Sequence, residues 1–228
     1  HRVPTSPGAY AIGDRSCPDH GGNGLGAADV LQGLADGYFV LPYTIGDYLS
    51  HEIQSPKVDT NAPEFEAAEK SVRERIAKLF SINGKQTVDE IHKKLGHIMW
   101  ENVGMARTKE SLEKAIVEIK KIRQEFWSDV KVPGKNEEFN QELEKALRVA
   151  DFLEEGELMA KDALQRNESC GGHFREEYQT PDGEALRDDE NFAFVAIWEY
   201  KGENEEPVMH KETLTFEAIK VAQRNYKD

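Results

Sequence analysis

The segment TKESLEKAIVEIKKIRQEF at residues 108–126 decides the fold class, because its apolar residues recur at the spacing of an amphipathic helix. The apolar stripe consists of Leu112, Ala115, Ile116, Ile119, Ile122 and Phe126. Thr108 can cap the first turn of this helix, and Pro133-Gly134 ends the helical pattern. We therefore predict a long helix with one buried face.

Two further helices precede this segment. Asn61 and Glu64 have the spacing of a capping pair, and Thr87 with Glu90 forms the pattern of a capping box. The break between the two helices is Asn83-Gly84. The apolar positions on one face are Phe65, Ala68, Val72, Ile76 and Leu79 in the first helix, and Ile91, Leu95, Ile98 and Met99 in the second.

A fourth helix is predicted to begin at Asn136. Its apolar face would be formed by Phe139, Leu143, Leu147, Ala150 and Leu153. Short connections between amphipathic helices make sequential neighbours antiparallel. Residues 61–165 are therefore predicted to form an antiparallel helical bundle.

The N-terminal part reads as a strand, a glycine-rich loop and a helix. Residues 9–13 are apolar, the loop HGGNGLG occupies residues 20–26, and a helix over 27–41 is expected to end at Pro42. Residues 43–60 are predicted to be a connection. Glycines let backbone amides approach a ligand closely, and the N-terminus of a helix carries partial positive charge. This pattern is typical of sites for anionic cofactors.

The last third of the sequence has the pattern of β-strands rather than of amphipathic helices. Residues 192–200 alternate in the manner of a strand, residues 201–204 form a turn, and residues 208–216 supply an antiparallel partner. The predicted fold class is therefore α+β and mainly α. Its expected segments are a strand–loop–helix remnant at 1–60, the bundle at 61–165 and a small β-containing module at 166–228.

Composition excludes several classes of partner. The 228-residue chain has a formal net charge of −14, which disfavours binding to the phosphates of nucleic acid. It contains no apolar run of the roughly 20 residues that a membrane-spanning helix needs, so direct membrane insertion is not expected. Cys17 and Cys170 lack CxxC spacing, which favours a reduced compartment. The start at His1, directly before a strand, leads us to expect a piece of a longer polypeptide.

Three segments resemble the flavoproteins of succinate dehydrogenase and fumarate reductase. The loop at 20–26 is similar to their His-Gly-Ala-Asn-Arg-Leu-Gly signature, and RNESCGGHFREE at 166–177 is similar to their Arg-Asn-Glu-Ser…Gly-x-His-x-Arg-Glu signature. Residues 192–200, with the His-Lys-Glu segment near 210, resemble the tail of the family. The resemblance covers the C-terminal portion of such a flavoprotein.

The resemblance implies an FAD site and a dicarboxylate site for succinate or fumarate. Asp14 takes the place of a glutamate that holds the FAD ribose, and Asp29 and Val30 lie where a helix N-terminus meets the flavin. His20 and Gly24 fall at the substrate-binding loop. Gly24 replaces the arginine that clamps a substrate carboxylate in the family, and glycine has no guanidinium with which to do so.

The resemblance also implies an iron–sulfur partner subunit that carries electrons towards quinone. The expected location is cytoplasmic and peripheral, on the inner face of the membrane through partner subunits. Two alternatives stay open: a non-enzymatic helical scaffold that binds an iron–sulfur partner, and a small nucleotide-binding enzyme. His173 and Arg175, with Glu168, Glu176 and Glu177 nearby, could form an acid–base cluster, but a structural ion-pair network is the favoured interpretation.

Overall fold

A computed structural model of the protein describes residues 9–10, 28–135, 139–202, 205–218 and 220–222, with the backbone alone for residues 28–29. The chain divides into two compact units. The first, here called the helical unit, comprises Val58–Asn167 and Arg175–Glu177. The second, here called the mixed unit, comprises His1–Lys57, Glu168–Phe174 and Tyr178–Asp228.

The helical unit is built around long helices with short pairing segments between them. The helices are α3 (Pro63–Ser81), α4 (Val88–Val103), α5 (Lys109–Asp129) and α6 (Gln141–Gln165). The short strands are β1 (Gln86–Thr87), β2 (Ala106–Arg107) and β3 (Val130–Lys131). β1 and β3 pair in parallel, with Gln86 opposite Val130 and Thr87 opposite Lys131.

The apolar core of the described residues lies between Leu79 and Ala163 and is shared by α4, α5 and α6. The predicted stripe of α5 is confirmed. Leu112, Ala115, Ile119, Ile122 and Phe126 are buried, and Ile116 packs against the core at its margin. Each fully buried Leu, Ile or Phe side chain contributes about 1.5–3 kcal/mol to folding, so this stripe is a main source of stability.

Two predicted helix starts are confirmed by their caps. The Oγ1 atom of Thr87 accepts a hydrogen bond from the amide of Glu90 at 3.2 Å, and the Glu90 carboxylate accepts the amide of Thr87 in return. The Oγ1 atom of Thr108 accepts from the amide of Ser111 at 3.0 Å. Side-chain acceptors thus satisfy amides that have no partner within the first turn.

The predicted start and buried face of α3 are partly wrong. Ala62 occupies the N-cap position and Pro63 begins the helix, where a missing N–H is harmless. The amide of Asn61 instead donates to Asp59 Oδ1 at 2.9 Å. Phe65 and Val72 are more than half exposed because only the C-terminal part of α3, around Leu79, packs against the core.

The start of α6 also differs from the prediction. Asn140 caps this helix by accepting the amides of Glu142 and Leu143 at 3.0 and 3.1 Å. Asn136 lies outside the described residues. Phe139 is 93% exposed, since it precedes the cap and is not on the helix. The rest of the predicted stripe packs as expected: Leu143, Ala150 and Leu153 are buried, and Leu147 lines the core.

Within the mixed unit, residues 28–52 form consecutive helical segments: α1 (Ala28–Ala35), a π-helical segment (Asp36–Val40) and α2 (Leu41–Glu52). The expectation that Pro42 ends the helix, with a connection following directly, is therefore wrong. The amide of Leu41 donates to the carbonyl of Asp36, five residues back. This wider turn places Pro42 in the first turn of α2, where proline is tolerated.

The C-terminal elements are β4 (Phe174–Arg175), α7 (Asp189–Phe192), β5 (Phe194–Glu199) and β6 (Val208–Thr213). β5 and β6 form the predicted antiparallel pair, running from Phe194 opposite Thr213 to Glu199 opposite Val208. The described residues are thus mainly helical with small sheets, as the α+β class predicted. Among them, no helix is both long enough and apolar enough to cross a membrane.

Candidate functional site

Most of the residues predicted to bind ligands lie outside the described part of the chain. This applies to Asp14, His20 and Gly24, and to all of the predicted strand 9–13 except Ala9 and Tyr10. The ring of Tyr10 packs edge-on against that of Tyr48, with centroids 6.2 Å apart. The roles of the three loop residues therefore stay predictions.

Asp29 and Val30 lie in the first turn of α1, directly after the glycine-rich loop. The predicted order of loop and helix therefore places Val30 at a helix N-terminus. Its side chain is 67% exposed, so apolar surface is available there for a flat hydrophobic ring. A flavin combines such a ring with an anionic pyrophosphate, which a helix N-terminus favours. The apolar side chain of Val30 suits the ring of FAD, whereas the negative charge of Asp29 in the same turn opposes its pyrophosphate.

The helices of residues 28–52 expose a large amount of apolar surface. The exposed large apolar side chains are Val30, Leu31, Leu34, Tyr38, Phe39, Val40, Tyr43, Ile45 and Leu49. Asp36 is buried, whereas α2 contains no buried residue. Apolar surface of this extent is typical of a region that contacts another polypeptide or a ligand.

Arg175, in the second signature, lies at the C-terminal end of α6 within the helical unit. Its side chain is 1% exposed, and its guanidinium Nη1 donates to the carbonyls of Ala163, Leu164 and Arg166 at 3.2, 3.3 and 3.4 Å. These carbonyls belong to the C-terminal end of α6, where a cation is favourable. The Nε atom of Arg175 lies 3.2 Å from Glu177 Oε2. Arg175 therefore acts as the C-terminal cap of α6.

Glu177 caps the N-terminal end of α5. Its Oε1 atom accepts the amide of Lys109, in the first turn of that helix, at 2.5 Å. Burial opposes ionisation here, but the hydrogen bonds from Lys109 and Arg175 hold the pKa of Glu177 below its ordinary value. The carboxylate therefore stays ionised where the helix dipole favours a negative charge. The amide of Glu176 donates to the carbonyl of Arg107 at 3.0 Å.

Arg107 is a second arginine near Arg175 and Glu177, and its side chain is half-buried. Its Nε atom donates to the carbonyl of Gly104 at 2.8 Å. Burial and the charge of Arg175 lower its pKa, while Asp162 opposes that shift. A guanidinium remains protonated in proteins, so neither arginine is suited to exchange protons near neutral pH. The geometry of Arg175 and Glu177 fits a structural ion pair better than an acid–base pair.

The other members of that predicted cluster make separate contacts within the mixed unit. Glu168 is buried, and its Oε2 atom accepts the amide of Asp188 at 2.9 Å. The main chain of His173 pairs with that of Cys170. The side chain of Cys170 is partly exposed.

Sequence reasoning missed one buried charged site in the helical unit. Glu157 is 4% exposed on α6 and contacts Lys161 at 2.7 Å, Arg123 at 2.9 Å and Lys120 at 3.5 Å. The sequence does indicate that Glu157 is buried, because this residue lies four positions after Leu153 on the buried stripe of α6. A charge at such a position requires partners, and neighbouring basic residues supply them.

Comparison with protein families gives a match to "Fumarate reductase flavoprotein C-term" over residues 92–226. This range includes most of the helical unit and the second signature. The glycine-rich loop lies before it.

Individual relatives agree with this match. The fumarate reductase flavoprotein subunit of Helicobacter pylori is 30% identical over 178 residues, which cover 78% of this chain and 24% of that protein. The succinate dehydrogenase flavoprotein subunit of Bacillus subtilis is 25% identical over 220 residues, covering 96% of this chain and 36% of that protein. The chain thus spans about a quarter to a third of the length of these relatives.

Solved structures share the fold. A quinol–fumarate reductase with menaquinol molecules superimposes with a TM-score of 0.73 at 21% identity, over 93% of this chain and 35% of that chain. The Sdh1 complex of Mycobacterium smegmatis in the apo form superimposes with a TM-score of 0.71 at 24% identity, over 90% of this chain and 32% of that chain.

Proposed function

The chain belongs to the fumarate reductase flavoprotein C-terminal family, and from this premise we propose that it is the C-terminal portion of the FAD-containing subunit of a succinate dehydrogenase or fumarate reductase. The observation that carries the proposal is the family match over residues 92–226, which includes the signature at 166–177. The complete subunit would interconvert succinate and fumarate.

The glycine-rich loop and the start of α1 would complete the FAD site. Asp14 would accept hydrogen bonds from the ribose, while Asp29 and Val30 would lie beside the flavin at the helix N-terminus. FAD held by these residues would supply the hydride chemistry that interconverts succinate and fumarate. The exposed side chain of Val30 supports this assignment, because it leaves apolar surface for a ring.

The dicarboxylate would lie near His20 and Gly24. His20 can donate or accept a hydrogen bond, but Gly24 provides no positive charge for a carboxylate. The loss of a desolvated, charge-assisted pair weakens binding by about 2–5 kcal/mol. We therefore propose that the isolated chain has negligible succinate or fumarate turnover.

The remaining segments would support assembly. In this proposal residues 61–165 form an antiparallel bundle that, with the module at 166–228, helps to dock an iron–sulfur subunit. That subunit would pass electrons towards quinone, and the assembly would be peripheral on the cytoplasmic face of the membrane. The exposed apolar surface of residues 28–52 would be covered by the rest of the flavoprotein, since the relatives are about three to four times as long as the segment matched here.

The visible absorption spectrum of the purified chain, before and after incubation with FAD, tests the cofactor assignment. Flavin bands that survive desalting and that weaken in Asp14→Asn would support the assignment. A matched control is Asp47→Asn, because Asp47 is an exposed carboxylate on α2. Flavin retained equally by all three proteins would contradict the assigned role of Asp14.

A non-enzymatic scaffold is the second candidate, and the glycine at position 24 is the observation that favours it. A scaffold would capture an iron–sulfur subunit without binding flavin. A colourless chain that still co-purifies with that subunit would support this alternative over the FAD proposal.

A further inference from the structure

The asparagines in the described part of the chain differ in the contacts of their side-chain amides. In one group the amide nitrogen donates a hydrogen bond, and this group consists of Asn61, Asn102, Asn140 and Asn191. Asn83 and Asn167 are exposed, and neither side chain has a hydrogen bond to any described residue. No hydrogen bond therefore restrains the rotation of these two side chains.

The residue that follows distinguishes Asn83 from Asn167. Asn83 precedes Gly84, whereas Asn167 precedes Glu168. The backbone nitrogen of the following residue can attack the side-chain carbonyl carbon of an asparagine, and glycine hinders this attack least because it has no Cβ atom. Asn83 also lies in an irregular segment, after the end of α3 and before the start of β1. No helix therefore fixes the backbone at which the attack would occur.

We propose that Asn83 is a site of spontaneous deamidation in the folded chain. The backbone nitrogen of Gly84 loses its proton to solvent and forms a bond to Cγ of Asn83. The bond from Cγ to Nδ2 then breaks, and the side-chain nitrogen leaves as ammonia. Water opens the resulting cyclic imide at either carbonyl, which gives aspartate or isoaspartate without any oxidant or cofactor. This inference does not depend on the proposed function.

The packing of Gly84 gives the reaction a structural consequence. Gly84 is buried, and a Cβ atom added to it would overlap the carbonyl of Asp129. Isoaspartate at position 83 lengthens the main chain by one methylene group directly before this close contact. The next amide, that of Lys85, donates to Asp129 Oδ1 at 3.0 Å and depends on the same backbone path. Formation of isoaspartate should therefore loosen the approach of β1 to the end of α5.

The test incubates the full folded chain in mildly alkaline buffer made with heavy-oxygen water, which labels each site that reacts before digestion. Trypsin releases residues 79–85 with Asn83 and residues 167–175 with Asn167, and mass spectrometry measures the labelled fraction of each peptide. Asn83 is expected to react about tenfold faster than Asn167. Equal rates at the two sites, or reaction of Asn83 only after unfolding in urea, would overturn the proposal.

A second Asn-Gly pair, Asn23-Gly24, lies outside the described residues and is released in a different tryptic peptide. The variant Asn83→Gln separates its effects from those of Asn83, because glutamine would have to close a larger ring. The matched control is Asn167→Gln. Incubation is expected to lower the urea midpoint of the unaltered chain and of the control more than that of Asn83→Gln. An equal decline in all three proteins would overturn the assigned effect on β1.

Discussion

Arg175 links the ends of two helices within the helical unit. One buried guanidinium satisfies carbonyls at the end of α6 and pairs with Glu177, whose other carboxylate oxygen accepts an amide at the start of α5. Two helix ends are thus linked through adjacent opposite charges. Both charges have the sign that the helix dipoles favour.

Replacement of Arg175 by methionine should lower the free energy of unfolding by about 3 kcal/mol, because buried acceptors lose their donor and the charge of Glu177 loses its partner. Arg175→Lys should recover only part of this loss, since an ammonium lacks the planar fork. Urea unfolding followed by circular dichroism measures the change. Arg148→Met, at an ion pair that is more than half exposed, should change stability by less than about 0.5 kcal/mol. Equal effects at positions 175 and 148 would refute the capping role.

At the scale of elements, two glycines that look alike in sequence have opposite structural roles. A Cβ atom added to Gly84 would overlap the backbone carbonyl of Asp129, where β1 approaches the end of α5. A Cβ atom added to Gly96, on α4, would meet no atom within 4 Å. Close packing therefore requires glycine at the first position but not at the second.

Thermal unfolding of the two alanine variants should show shifts of opposite sign. Gly84→Ala must displace backbone and should destabilise the chain by about 3 kcal/mol. Gly96→Ala should stabilise it by up to about 1 kcal/mol, since alanine is the better helix former. If both variants unfolded at the same temperature as the unaltered chain, the close approach of β1 to α5 would be wrong.

A polar cluster connects β1 with α4 and α5. Lys94 Nζ lies 2.6 Å from Glu125 Oε1, and Gln86 Nε2 donates to Glu125 Oε1 at 2.5 Å and to Asp129 Oδ2 at 3.0 Å. The hydrogen bond from Lys94, followed by that from Gln86, lowers the pKa of Glu125. The hydrogen bond from Gln86, followed by that from the amide of Lys85, lowers the pKa of Asp129.

These shifts predict a stability contribution that acid removes. Because each folded pKa lies below its ordinary value of 4.5 or 3.8, the contribution is complete above those values and is lost as pH falls through the lowered ones. Gln86→Met should therefore lower the urea midpoint at neutral pH and make its decline in acid shallower. Gln124→Met, at an exposed position on α5, serves as the control. An unchanged acid profile in Gln86→Met would contradict the assigned hydrogen bonds.

At the scale of the whole molecule, the apolar core is distributed unevenly. Every buried hydrophobic residue in the described part of the chain belongs to the helical unit, between Leu79 and Ala163. Burial of apolar surface is the main favourable contribution to folding. The helical unit should therefore open less often than the mixed unit.

Brief digestion with trypsin tests this difference in stability. We expect early cleavage after the exposed residues Lys57 and Lys201, followed by slow cleavage within α4, α5 and α6. Mass spectrometry of the fragments over time identifies the order. Digestion in urea confirms that the helical sites can be cut. Cleavage within α5 as fast as cleavage after Lys57 would refute the expected order.

Features that depend on neighbouring residues could be predicted from the amino-acid sequence. The caps at Thr87 and Thr108, the buried stripe of α5 and the β5–β6 pairing are local patterns, and the structure has them as predicted. For the candidate site, the sequence predicted a helix around Val30 after the loop, whereas Asp14, His20 and Gly24 lie outside the described residues.

Features that depend on distant parts of the chain became visible only when the elements were seen packed together. The exposure of Phe65 reflects where α3 meets the core, and the fit of Gly84 depends on a carbonyl 45 positions away at Asp129. Arg175 reaches the carbonyl of Ala163 because the chain turns back after α6, and Glu157 is tolerated on a buried stripe because α5 presents basic side chains to it. Side-chain spacing along one element cannot predict such contacts, because they form only when separate elements pack together.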